Sequence, residues 1–239
     1  MPLQLPAGCC EARISVATLL AGRTPGAAAA ALGLALPASL AGAVPGRQAE
    51  FLAGRWCARS ALGRAGLHPP AAPAIGPERA PEWPAGYVGA ISHSQGEAWA
   101  VFAPDSVLRG IGIDLERALE AAAARELEPV LRAPGEPLPV VTGTGGDAWT
   151  DAQRLALLFS AKESLYKCVA PLGGSALGFA DARLVECDGP SGTLRLELLR
   201  AAAPGLPRGL HLPGGFALEQ GHVRTWVCWP CDGGPAPAA

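Results

Sequence analysis

The stretch Gly110-Ile111-Gly112-Ile113-Asp114-Leu115-Glu116, near the midpoint of the chain, constrains the fold most. Apolar residues alternate first with glycines and then with carboxylates, a period of two that belongs to a β-strand. In a strand, side chains two apart share a face, so Asp114 and Glu116 point together while Ile113 and Leu115 enter a core. Two like charges at that spacing favour a cation between them. Oxygen-only ligands suit Mg²⁺, which is commonly held by one or two carboxylates together with substrate phosphate. An acidic strand end facing solvent has the same pattern, so this stretch alone leaves both readings open.

The 239 residues are nearly half apolar, enough to bury a substantial core in one or two domains, and a lone helical bundle is not expected. Of 19 basic residues only Lys162 and Lys167 are lysines, and two lysines so close together in such a chain ask for a chemical reason. A net charge of −2 supplies no overall field for nucleic acid or an acidic membrane, so any anion site has to be local.

Met1 to Arg13 lacks a basic segment followed by an apolar one, so no secretory signal is expected and the cytoplasm is the expected location. Thr24 to Gly46 is uncharged, but Pro25, Pro37 and Pro45 interrupt it and alanine dominates it. It reads as helix or loop on the core and not as a membrane span. The seven cysteines form an odd set without framework spacing, which fits reduced thiols. Cys228-Trp229-Pro230-Cys231 is a CxxC, yet it ends an alternating strand, whereas a redox pair belongs at a helix start. A metal site would need a second pair, and Cys9-Cys10 lacks that spacing.

Residues 47–59 predict an amphipathic helix with Phe51, Leu52 and Trp56 on its apolar side and Arg47, Arg55 and Arg59 off it. The arginines suit either a solvated face or a phosphate contact. Proline and glycine from Ala65 to Gly86 predict an irregular connection that includes Arg79. Strands are expected at 86–94 and 97–103, ahead of the central one at 108–116. Within Ser92-His93-Ser94, neighbouring side chains point to opposite faces, which makes a poor nucleophilic triad; ligand contact is the better functional reading, and a purely structural His93 remains open.

The second half predicts a helix at 117–131, a loop at 134–146 suited to partner contact, and a helix at 151–168 opened by a capping box of Thr150 and Gln153. On that helix Glu163 and Lys167 stand four apart and share a face, as an ordinary surface ion pair also would. Strands are expected at 181–185, 193–199 and 222–229, with a disordered tail at 232–239.

Taken in order, Trp83-Pro84, Gly89 to Ser94, Gly110 to Glu116, and Phe159-Ser160-Ala161-Lys162-Glu163-Ser164-Leu165-Tyr166-Lys167 resemble the phosphopantetheinyl transferases of the surfactin and enterobactin synthetase type. Arg47 to Arg55 resembles the upstream helix of the enterobactin branch. The resemblance covers roughly residues 47–170 and implies a monomeric α/β (α+β) fold of two pseudo-symmetric halves, with the active site in the cleft between them. It places a coenzyme A-binding half at 1–109 and a Mg²⁺-binding, catalytic half at 110–239. It implies that Asp114, Glu116 and Glu163 surround Mg²⁺, that Glu163 is the candidate base, and that Asp114 and Lys167 act in catalysis. Lys167 and Lys162 would stand near the pyrophosphate, Ser92 and His93 would meet coenzyme A phosphates, and Arg47, Arg55 and Arg79 are weaker candidates for nucleotide or phosphate contact.

The implied reaction moves phosphopantetheine from coenzyme A to a serine of an apo carrier protein of siderophore, nonribosomal peptide or polyketide synthesis, releasing 3′,5′-ADP. Two rivals use the same residues differently. One is a Mg²⁺-dependent phosphohydrolase acting on a nucleotide, the other a non-catalytic module that binds carrier proteins.

Overall fold

Small residues let the first half pack tightly. β1 (Cys10–Ser15) leads into α1 (Val16–Leu20), where the Ser15 hydroxyl accepts from Thr18 N–H, and then into α2 (Pro25–Leu32), capped in the same way by Thr24. α3 (Pro45–Arg64) follows, then the short pair β2 (Ala74–Ile75) and β3 (Pro81–Glu82), then β4 (Tyr87–Ser94) and β5 (Glu97–Pro104). The sheet order is β1-β5-β4, antiparallel throughout. α3 lays Leu52, Ala53, Cys57, Ala58 and Ala61 against Ala12, Ala98, Ala100 and Phe102 of that sheet. A computed structural model supplies this description for residues 3–67, 71–76, 80–117, 121–141, 149–173 and 177–231, with backbone alone at 121–125. Arg79, the tail at 232–239 and residues 142–146 of the expected loop lie outside the described residues.

The second half is a five-stranded antiparallel sheet carrying one long helix. β6 (Leu108–Arg117) is followed by α4 (Ala121–Leu131), α5 (Asp151–Val169), β7 (Ala182–Asp188), β8 (Thr193–Leu198), β9 (His211–Glu219) and β10 (His222–Pro230). Their order in the sheet is β6-β10-β9-β8-β7. α5 starts at the expected capping box and buries Leu157, Leu158, Ala161, Leu165 and Cys168 over Leu196, Phe216, Val223 and Val227. A third cluster, including Trp99, Val101, Ile111, Ile113 and Trp226, joins the two sheets. The fold is thus mixed α and β, and no described helix is long and apolar enough to cross a membrane. All seven cysteines are unpaired thiols.

Several local expectations differ from the structure. α3 begins at Pro45, because proline suits the first helical turn, where its missing N–H is not needed. α4 begins at Ala121 and not at Arg117, since β6 keeps pairing with β10 up to Arg117. β1 was not anticipated, although Ala12 is buried and Arg13 exposed as alternation requires. Neither was β9, whose Pro213-Gly214-Gly215 reads as a turn. There a Cβ on Gly215 would sit 2.7 Å from Trp226 Cε2, so glycine is demanded by the indole stacked on the neighbouring strand.

Candidate functional site

Two glycines bring the helix onto the strand. A Cβ on Gly112 would overlap the carbonyl of Ser164, and one on Gly110 would lie 2.7 Å from the carbonyl of Cys168. With hydrogens there instead, the α5 backbone rests directly on β6. Behind that contact, Thr225, the Cα partner of Asp114 on β10, joins Ser164 Oγ at 2.7 Å and Ser160 Oγ at 2.9 Å. These three hydroxyls are fully buried and set where α5 stands along β6.

The acidic strand meets the helix in front of this layer. Lys167 Nζ donates to Asp114 Oδ1 at 2.6 Å and to Ser92 Oγ at 3.2 Å. Ser92 Oγ donates to the same Asp114 oxygen at 3.0 Å and accepts from Leu115 N–H at 3.2 Å. One step further along both strands, Ser94 Oγ donates to Glu116 Oε1 at 3.5 Å. β4 and β6 therefore advance side by side, presenting serines 92 and 94 to carboxylates 114 and 116.

Three carboxylates surround one ammonium here. Burial pushes the Glu116 carboxyl above the usual range, and Asp114 pushes it further. Burial likewise raises Glu163, with Lys167 pulling it down and Asp114 pushing it up. These couplings put Glu163 beside the Asp114–Lys167 pair. Asp114 itself is 5% exposed, and its second oxygen, Oδ2, is buried with no hydrogen-bond partner. A buried carboxylate oxygen left so is costly unless a cation or donor completes it. Among the described residues no group of three His, Cys, Asp or Glu side chains stands as a ready-made metal cage. Mg²⁺ needs none, because water and substrate phosphate usually complete its shell. Asp114 and Glu116, with Glu163 beside them, fit that requirement.

A cationic cavity adjoins on the side of the first half. About 200 Å³ in volume, it is lined by Arg47, Phe51, Arg55, Ile75, Ile91 and His93 among others. Arg47 Nη1 donates to His93 Nε2 at 2.8 Å, and Glu50 lies 3.5 Å from His93 Nδ1. Burial and the nearby Arg47 lower the His93 pKa. Arg55 is 7% exposed and donates to the carbonyls of Pro73 and Ala74 at 2.8 and 3.1 Å, while Arg59 donates to Leu32 O at 2.7 Å. Two of the three arginines on α3 are therefore tied to backbone carbonyls, while Arg47 stays exposed. Glu50 was missed by the sequence reading, although its place three residues after Arg47 is a helical pairing distance.

Lys162 departs from its expected place near the pyrophosphate. Its ammonium donates to Glu136 Oε2 at 2.6 Å, Leu131 O at 2.7 Å and Phe179 O at 2.9 Å, which uses all three of its donors. Glu136, wholly buried, also accepts from the N–H groups of Ala133 and Leu184. Lys162 is thus an internal tie between α5, the end of α4 and β7. A second cavity of about 290 Å³, with Glu163, Leu165, Tyr166, Leu177 and Phe179 in its wall, lies on this side of α5.

The comparisons with known proteins agree with one another. Residues 36–103 match the family profile of the 4′-phosphopantetheinyl transferase N-terminal domain, and residues 110–218 match that of the 4′-phosphopantetheinyl transferase superfamily. The chain is 35% identical over 213 residues to 4′-phosphopantetheinyl transferase Svp of Streptomyces mobaraensis, covering 83% of this chain and 79% of that protein. It is 34% identical over 204 residues to 4′-phosphopantetheinyl transferase Npt of Nocardia iowensis, covering 80% and 86%. It is 40% identical over 140 residues to enterobactin synthase component D of Escherichia coli K12, covering 59% and 62%.

Proposed function

This chain belongs to the 4′-phosphopantetheinyl transferase superfamily and is an enzyme of that kind, and on that premise we propose that it moves phosphopantetheine from coenzyme A to a serine of an apo carrier protein. The carriers would be peptidyl, aryl or acyl carrier domains of nonribosomal peptide, siderophore or polyketide synthesis, with the protein acting as a cytoplasmic monomer. The observation that carries this reading is the buried Asp114 carboxylate, held through one oxygen by Lys167 and Ser92 with the other left open.

In the reaction, the carrier serine oxygen forms a bond to the phosphorus that bears pantetheine. The bond from that phosphorus to the bridging oxygen breaks, and 3′,5′-ADP leaves. Glu163 takes the serine proton, directly or through one water; its raised pKa, from burial, makes it a better acceptor than an exposed glutamate. Lys167 stands beside Asp114, where its ammonium offsets charge growing on the leaving phosphate. Arg47 and His93 at the cationic cavity, with Arg55 in its wall, receive the nucleotide phosphates. Mg²⁺, held by Asp114 and Glu116 with Glu163 beside them, would neutralise pyrophosphate oxygens when bound. On this reading residues 1–109 hold coenzyme A, residues 110–239 hold the metal and the base, and the active site is the cleft between.

The test is incubation with coenzyme A, Mg²⁺ and an apo peptidyl carrier domain, followed by intact-mass measurement of the carrier. A gain of one phosphopantetheine arm, abolished by EDTA and by acceptor serine to alanine, is expected. Release of 3′,5′-ADP without any gain on several carriers would point to a phosphohydrolase instead.

A further inference from the structure

Glu50 has no part in the reaction as described, yet it stands against both groups that receive the nucleotide phosphates. It leaves α3 one turn after Arg47, with Oε2 3.7 Å from Arg47 Nη1. The same oxygen lies 3.5 Å from His93 Nδ1, while Arg47 Nη1 lies 2.8 Å from His93 Nε2. The two α3 side chains thus address the two nitrogens of one ring.

An arginine N–H can only donate, so His93 Nε2 accepts, and the single hydrogen of a neutral ring is on Nδ1, the side of Glu50. That form does not suit an anion. A phosphate oxygen only accepts, and it would meet the Nε2 lone pair. Shifting the hydrogen from Nδ1 to Nε2 would supply a donor, but it would leave the Nδ1 lone pair against the Glu50 carboxylate. The ring with both nitrogens protonated meets neither objection, because Nδ1–H then faces Glu50 and Nε2–H faces the phosphate. In the free protein, burial lowers the His93 pKa, as do Arg47 and Lys167 of α5; among the described side chains that act on the ring, only Glu50 raises it. An arriving phosphate adds negative charge on the Nε2 side and favours the charged ring.

We propose that Glu50 is a positioning residue that fixes the orientation of His93 and supplies the counter-charge for its imidazolium, so that seating the 3′-phosphate draws a proton from solvent onto Nε2. The inference rests on the transferase reading above, with His93 and Arg47 as the phosphate contacts.

The experiment measures 3′,5′-ADP binding by calorimetry in EDTA at pH 7.5, in Tris and in HEPES, whose different heats of ionisation report the protons taken up. His93→Gln gives the baseline for titration of the phosphates themselves. Glu50→Gln keeps the size of the side chain and removes its charge. Above the baseline, wild type should take up about half a proton or more, and Glu50→Gln about a fifth or less. Uptake means that affinity falls as pH rises. Relative to His93→Gln, the wild-type dissociation constant should therefore weaken about threefold or more per pH unit above neutrality, and that of Glu50→Gln about 1.5-fold or less. Glu50→Asp, which keeps the charge, should recover part of the uptake, and 5′-AMP, which lacks the 3′-phosphate, should show none. A merely structural Glu50 would change affinity without changing the proton count. Wild type binding without uptake, equal uptake by wild type and Glu50→Gln, or equal uptake with 5′-AMP would each overturn the proposal and leave the transferase reading standing. Wild type that does not bind 3′,5′-ADP would instead overturn the nucleotide site of that reading, and this inference with it.

Discussion

The hydroxyls of Thr225 and Ser164 meet at 2.7 Å in the fully buried layer between β10 and α5, directly behind Asp114. Ser160 joins Thr225 from the previous turn of the same helix, so one threonine holds two points of α5. Thr225→Val keeps the shape and removes the shared hydroxyl. Ser160 is then left without this partner, and urea unfolding should show a loss of about 1–3 kcal/mol. Transfer by the folded variant should fall too, because α5 carries Glu163 and Lys167. Unchanged kcat would show that the register of α5 does not depend on this cluster.

Lys162 lies beside Glu163 in the sequence but serves the interior. Lys162→Met leaves Glu136 as an uncompensated buried charge, a change that typically costs about 3–5 kcal/mol. The double variant with Glu136→Leu should be closer to wild type in stability than either single one. Denaturant titration of the three proteins checks this. The coenzyme A KM of whatever folded Lys162→Met protein remains should be near wild type; a large rise would return Lys162 to the substrate site.

Gly112 is the point of closest approach between α5 and β6. A Cβ there must push the helix off the strand, since the atoms that it meets are backbone of Ser164 and Cys168. Overpacking of this kind usually costs about 1–3 kcal/mol, and more when backbone cannot yield. Gly112→Ala should therefore lower both Tm and transfer, whereas Gly86→Ala, at a positive φ with open space around it, should lower Tm and leave the kcat of the folded protein intact.

Burial raises the Glu163 pKa, so between the ordinary glutamate range and the raised value the folded metal-free protein binds a proton there more readily than the unfolded chain does. Its contribution to stability is present at low pH and is lost as pH rises from the ordinary glutamate range through the raised value. In EDTA, Glu163→Gln should melt above wild type at pH 7.5 and with it at pH 4. The same variant should lose transfer by about 10²-fold or more, the usual contribution of a general base. Wild-type turnover with Glu163→Gln would remove both roles given to this residue.

Periodicity and spacing were enough to read β6, the capping box that starts α5, and the shared faces of Asp114 with Glu116 and of Glu163 with Lys167. These are local properties, because the backbone period decides which side chains leave the same side of an element. What such a period leaves open is which partner each side meets. Lys162 and Glu163 are adjacent on α5, and only the approach of α4 and β7 turned one inward. Ser92 and His93 are adjacent on β4, and only the position of β6 gave Ser92 to Asp114. β9 was hidden for the same reason, since Gly214 and Gly215 look like a turn until Leu194 and Trp226 occupy the space where side chains would be. The sequence by itself determined the strand, the helix and the chemical types gathered near the site. Tertiary structure alone decided which of those groups touch, because contacts between residues tens of positions apart depend on the packing of whole elements and not on the period within any one of them.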